Sequence, residues 1–139
     1  MEFKDFIKQG KARMASKDIA LAKSLIKNTK NDLGFLKNLE VNKKSSRKIM
    51  TNYYEALRSI LEAISIMGGY KIYSHEAFTY FLKKKQEESL SIKFDRFRKI
   101  RNSINYYGED IEIEDTKQNI AEIKNMIEIL IKKYLNKLK

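Results

Sequence analysis

A chain of 139 residues with 42% hydrophobic content is long enough to bury a core without disulfides or a metal, and too apolar for wholesale disorder. No cysteine, no proline and only 5 glycines exclude a disulfide framework and thiol chemistry, and leave too little turn-forming material for a fold of many strands. The 29 basic and 18 acidic residues give a formal charge of +11, a field that attracts a polyanion, although lysine- and isoleucine-rich chains also arise from AT-rich coding or hot growth.

Read in chain order, residues 2–9 form a short leading helix with Phe3, Phe6 and Ile7 on one side. A long helix is predicted from Ser16, a candidate N-cap with Asp18 in the first turn, to Glu40. Its face is Ala22, Leu25, Ile26, Thr29, Leu33 and Leu36 at three- and four-residue steps, interrupted by Gly34. The polar turn Val41–Ser46 leads to a helix over Ser46–Met67, whose wide stripe (Met50, Tyr53, Tyr54, Leu57, Ile60, Leu61, Ile64, Met67) marks it as central. Gly68-Gly69 stops it. Ser74 caps a short helix to Lys85 that turns Ala77, Phe78, Phe81 and Leu82 inward. The next helix runs from Ser89 to Tyr107 with the stripe Ile92/Lys93, Phe94, Phe97, Ile100/Arg101 and Ile104, and Gly108 ends it. The acidic connector Asp110–Asp115 precedes a last helix to Leu138, opened by a capping-box spacing between Asp115 and Gln118. Ile120, Ile123, Ile127, Leu130, Ile131, Tyr134, Leu135 and Leu138 form its buried side.

These elements describe an all-α, up-and-down antiparallel bundle of about five helices in one domain over residues 1–139. The start MEFKDFIKQGKAR carries no apolar leader, and no run reaches the roughly 18 apolar residues of a membrane span, so a cytoplasmic protein is expected. Glycines at 10, 34, 68, 69 and 108 fit no phosphate-cradling loop. One histidine and no cysteine supply no zinc ligand set, and Asp110, Glu112, Glu114 and Asp115 match no calcium loop. Favourable charge at the start of the next helix explains that acidic run more simply. No metal and no cofactor are expected.

The segment Phe94-Asp-Arg-Phe-Arg-Lys-Ile-Arg-Asn-Ser-Ile-Asn-Tyr-Tyr-Gly108 resembles the signature helix of the HEPN superfamily, in which an Arg-Asn pair late in a helix is followed four to six residues on by a His. Arg101-Asn102 matches the pair, and Tyr106 stands where the His is replaced. The stretch from Gly69 to Leu82, with His75 opening a short helix, resembles the family's segment after its central helix. The likeness covers roughly residues 16–138. It implies a helical bundle, usually dimeric, with the arginine motifs of both subunits facing a shared cleft. Active members of the family are metal-independent endoribonucleases, often toxins. Others bind nucleotides or pair with a small nucleotidyltransferase.

Metal-free RNA cleavage needs a base, an acid and a cation to steady the phosphorane. In the family the arginine supplies the charge and the histidine the proton transfer, so the resemblance assigns the first role to Arg101 and leaves the second to Tyr106, the catalytic candidates here. A phenol of pKa about 10 is a poor base, yet it donates to phosphate or stacks on a nucleobase. Arg98, Arg101, Asn102 and Tyr106 are the candidate RNA- or nucleotide-binding residues, while Lys99 belongs to a solvated face. Core-edge packing is expected for at least one of Tyr106 and Tyr107. His75 is read as a capping or loop-anchoring residue, the alternative being a phosphate ligand at a helix N-terminus. Asn52, Arg58 and Glu62 reach either a cleft or a buried pair. The expected function is HEPN-like binding of RNA or a nucleotide with lost or weak ribonuclease activity. The alternatives are a toxin-like metal-independent endoribonuclease and a protein-interaction subunit paired with a nucleotidyltransferase. A homodimer is expected under all three.

Overall fold

The computed structural model describes residues 1–138. Among them run six helices and two short strands: α1 (Phe3–Lys8), β1 (Ala12–Met14), α2 (Ile19–Leu36), α3 (Ser46–Met67), β2 (Tyr70–Ile72), α4 (His75–Lys84), α5 (Glu88–Tyr107) and α6 (Ile113–Tyr134). The fold is an all-α helical bundle. No helix among the described residues is long and apolar enough to cross a membrane.

Helix α3 is the hub. Its apolar stripe is so wide that Tyr53, Tyr54, Leu57, Ile60, Leu61 and Ala63 are all buried, and the helix packs against α2, α4, α5, α6 and β2. Consecutive helices joined by short links pair with each other, α2 with α3 and α4 with α5, and α6 returns to cover α3. Phe3 and Phe6 of α1 join the same core, meeting Tyr70, Tyr80 and Phe81 edge-on or tilted.

Several boundaries differ from the sequence expectation. Helix α2 is capped by Asp18 rather than Ser16: the Asp18 side chain accepts from the Leu21 amide at 2.9 Å. It ends at Leu36, where Asn38 folds back to donate to the Gly34 carbonyl. The polar turn before α3 is built by Asn42, whose side-chain oxygen accepts from the amides of Lys44 and Ser45 at 2.9 and 3.0 Å. Ser74 does occupy the N-cap position of α4, but its hydroxyl makes no capping bond. Helix α6 begins at Ile113 with Glu112 as N-cap and stops at Tyr134, so no capping box forms from Asp115 to Gln118 and the end of the acidic connector is helical. Glu114 and Asp115 lie in its first turn, where carboxylates favour the helix dipole. Ile92, expected in the buried stripe of α5, is 61% exposed.

The strands were not legible beforehand. β1 pairs antiparallel with β2 in the register Ala12↔Ile72, Arg13↔Lys71 and Met14↔Tyr70. The Ala15 amide donates to Gly69, and the Tyr73 amide donates to Lys11, each at 2.8 Å. Gly69 reverses the chain out of α3 at φ +88°, a conformation that disfavours side-chain-bearing residues. The ladder therefore clamps the segment between α3 and α4, and with it the placement of His75.

Phe94 is fully buried between Tyr54 and Phe78, whereas Ile92 faces solvent. Phe94→Ala is expected to lower unfolding free energy by about 3–5 kcal/mol, and Ile92→Ala to change it by less than about 0.5 kcal/mol. Urea unfolding at unchanged slope measures both. Equal losses would contradict the orientation of α5.

Candidate functional site

Three elements converge on one side of α3. Helix α3 contributes Tyr54, Glu55 and Arg58, the first turn of α4 contributes His75 and Glu76, and α5 contributes Asp95, Arg98, Arg101, Asn102 and Tyr106. The three-residue β pairing ahead of α4 and the packing of α4 on α5 bring them together.

Tyr54 lies at the bottom of the cluster, fully buried, stacked on Phe94 at 5.5 Å between ring centroids and on His75 at 5.7 Å. Its hydroxyl is 2.8 Å from His75 Nδ1 and has no other partner among the described residues. Burial drives the phenol's pKa far above its ordinary value, against the opposing pull of Arg101. The hydroxyl therefore keeps its proton and must donate it. If Nδ1 instead carried a proton and donated to the phenol, the buried O–H would have no acceptor, a loss of about 1–3 kcal/mol. Nδ1 is thus the acceptor, and the neutral ring carries its hydrogen on Nε2. Nε2 itself has no protein partner among the described residues and is not sealed off from solvent. The structure agrees with the loop-anchoring reading of His75: the ring ties the start of α4 to α3.

His75 titrates below its ordinary value of 6.5, first because burial penalises the imidazolium, then because Arg101, Arg58 and Arg98 repel a further positive charge, with Glu55 opposing.

Arg98 and Arg101, one turn apart, have opposite surroundings. Both Nε and Nη2 of Arg98 donate to Asp95 Oδ1, at 3.0 and 2.8 Å, and Glu76 approaches to 3.8 Å. Burial alone would raise the Asp95 pKa, but hydrogen bonds from Arg98, Lys99 and Thr79 outweigh it and hold the carboxyl below its usual range. Arg101 has no such partner. Nη1 donates to Asn102 Oδ1 at 3.2 Å and to the Tyr106 hydroxyl at 3.3 Å, both neutral groups. Its nearest carboxylate oxygen, on Glu55, is 4.0 Å away, because Glu55 turns its other oxygen to Arg58 at 2.9 Å. Nε of Arg101 is buried with no partner at all. The guanidinium lies between aromatic faces, 5.9 Å from the Tyr54 centroid and 5.6 Å from that of Tyr106.

The sequence candidates Arg101, Asn102 and Tyr106 are therefore in mutual contact, and Arg98 is adjacent but engaged by Asp95. Neither Tyr106 nor Tyr107 packs at the core edge as expected for one of them: they are 68% and 78% exposed. Lys99 lies on the solvated side, 3.2 Å from Asp95. Arg58 and Glu62 belong to a half-exposed polar strip with Glu55, and Asn52 is exposed. Sequence reading did not assign a site role to Tyr54, Glu55 or Asp95. Asp95 was detectable, since its spacing to Arg98 and Lys99 is that of helical ion pairs.

A cleft of about 370 Å³ lies elsewhere, between α5 and α6, lined by Arg96, Ile100, Glu109, Asp110, Asp115 and neighbours. Arg96 is drawn away from the Arg101 face into an ion pair with Glu122. Among the described residues no group of three or more carboxylates or histidines is gathered to hold a metal.

No family model, curated protein or solved structure matches the chain.

The depressed His75 titration has a sign that can be tested. Between the folded-state value and 6.5 the unfolded chain binds more protons than the native one, so stability is complete above pH 6.5 and is lost as pH falls through the folded value. The melting temperature is expected to drop on acidification from neutrality, and His75→Gln to flatten that part of the curve. An unchanged slope in the variant would show that other groups carry it.

Proposed function

We propose that the Arg101 cluster binds a phosphate ester of RNA or of a nucleotide, in a HEPN-like protein whose capacity for cleavage is lost or weak. One observation carries the reading. Arg101 is a mostly buried cation, 17% exposed, whose donors are met by two neutral oxygens and whose nearest carboxylate is at the limit of ion-pair distance. A desolvated guanidinium so poorly neutralised gains more from a bound anion than a saturated one does. Arg98 illustrates the saturated case and holds the site's shape through Asp95.

The surroundings support a phosphate ester over a simple inorganic anion. Tyr106 exposes an aromatic face next to the guanidinium, where a nucleobase can stack, and Tyr107 is exposed beside it at the end of α5. The excess of 29 basic over 18 acidic residues adds long-range attraction for a polyanion. Binding is favoured over cleavage because the motif position holds Tyr106 in place of a histidine, and its hydroxyl accepts from Arg101.

Arg101→Gln is expected to weaken binding of a single-stranded 12-nucleotide RNA by about 10- to 100-fold at fixed low salt, the loss of one or two charge-assisted hydrogen bonds. Lys132→Gln serves as the control. It adjoins Lys133, which pairs with Glu87 just ahead of α5, about 20 Å along that helix from Arg101. Equal affinity of both variants by fluorescence anisotropy would reduce the interaction to non-specific charge and defeat the proposal.

A further inference from the structure

Resting on that reading, we infer that His75 is a second phosphate-binding residue: Tyr54 fixes its imidazole in the Nε2–H form, and this N–H donates to a phosphoryl oxygen held beside the Arg101 guanidinium. The geometry has three parts. First, Nδ1 is engaged by the Tyr54 hydroxyl at 2.8 Å, so only Nε2 is left to face a ligand. Second, Nε2 has no protein acceptor among the described residues and reaches solvent, which makes it a donor without a partner. Third, Tyr54 joins the two groups: its ring is 5.7 Å from the His75 centroid and 5.9 Å from the Arg101 guanidinium carbon.

The charges around the ring fit a neutral donor. Arg58 and Glu55 of α3, Arg98 and Arg101 of α5 and Glu76 of α4 surround it, and the three guanidinium groups act against protonation of the imidazole. A neutral Nε2–H can add a directional bond to an anion held by Arg101 without setting two full cations against each other in the unliganded protein.

The same arrangement limits chemistry. A general base for a ribose hydroxyl needs a free lone pair within reach of the proton. The Nδ1 lone pair is occupied by Tyr54 and the Nε2 position is protonated, so the histidine holds phosphate and does not take a proton.

This chain has one histidine, so its imidazole nitrogens are unambiguous in a long-range proton–nitrogen correlation spectrum. At pH 7 the ligand-free protein is expected to show a protonated Nε2 and an unprotonated Nδ1. A protonated Nδ1 or an imidazolium overturns the inference. On saturation with the 12-nucleotide RNA, or with adenosine 5′-monophosphate at millimolar concentration, the Nε2 resonance is expected to move. Movement with the mononucleotide identifies a single phosphate ester as sufficient, and movement with RNA alone identifies the polymer as the ligand. In binding, His75→Ala is expected to lose about 5- to 10-fold and His75→Gln, which keeps an amide donor at similar reach, to recover most of it. Unmoved nitrogen shifts in wild-type protein, under conditions where Arg101→Gln lowers affinity, defeat the role of His75 and leave the Arg101 reading standing. If Arg101→Gln binds as wild type does, both fall. The spectrum is recorded on the unsubstituted chain, so the outcome does not depend on whether a variant folds.

Discussion

Tyr54 is buried on the most enclosed helix of the bundle, and its hydroxyl has to find a hydrogen-bond partner there. The partner is His75, the first residue of α4, across a chain reversal that includes Gly69 and strand β2. That one bond has three consequences. It registers α4 against α3, it leaves the imidazole with a defined outward nitrogen, and it places a neutral aromatic face, rather than a carboxylate, beneath Arg101. The two-stranded ladder that grips residues 12–14 and 70–72 fixes the approach to the same point from the backbone side. The aromatic stack of His75, Tyr54 and Phe94 then continues the site directly into the core.

The difference between Arg98 and Arg101 comes from helical reach. Asp95 is one turn before Arg98, so a short intrahelical bond satisfies that guanidinium at little entropic cost. One turn either side of Arg101 stand Phe97, Arg98, Ile104 and Asn105, none of which is acidic. Among the described residues the carboxylate that comes within 4.0 Å of it is Glu55 on another helix, and Glu55 is already committed to Arg58. A partly buried cation therefore keeps unspent capacity for an anion. The local sequence contained this contrast, because both the aspartate before Arg98 and the lack of one around Arg101 can be read from spacing alone.

Long apolar periodicities made the hub helix, its neighbours and the all-α class legible, since each stripe is repeated over several turns and tertiary packing only confirms it. Features that depend on a single residue or on distant pairing were not. Strands of three residues leave no alternation to detect, and their pairing joins positions some sixty residues apart. Ser16 and Asp18 are both acceptable caps, and only the fold decides that Asp18 meets the Leu21 amide. Ile92 was grouped with Phe94, but two residues turn an α-helix through about 200°, which puts it on the opposite face. Arg101, Asn102 and Tyr106 could be named because one contiguous segment, Phe94 to Gly108, carries the resemblance to the HEPN signature helix. The partnership of His75 with Tyr54 could not, because it spans 21 positions and two helices.

The cleft between α5 and α6 and the chemically distinctive site do not coincide, and physical reasons favour the latter for a phosphate. The cleft between α5 and α6 has volume, but Glu109, Asp110 and Asp115 line it, and a phosphate entering there meets like charge. A phosphate group needs little volume and several convergent N–H donors. Arg101 adjoins the exposed ring of Tyr106, and its nearest carboxylate is drawn aside by Arg58. Donor density and electrostatic sign, rather than concavity, are what separate the two places: Arg101 of α5 governs one, and the carboxylates of the connector after α5 and of the first turn of α6 govern the other.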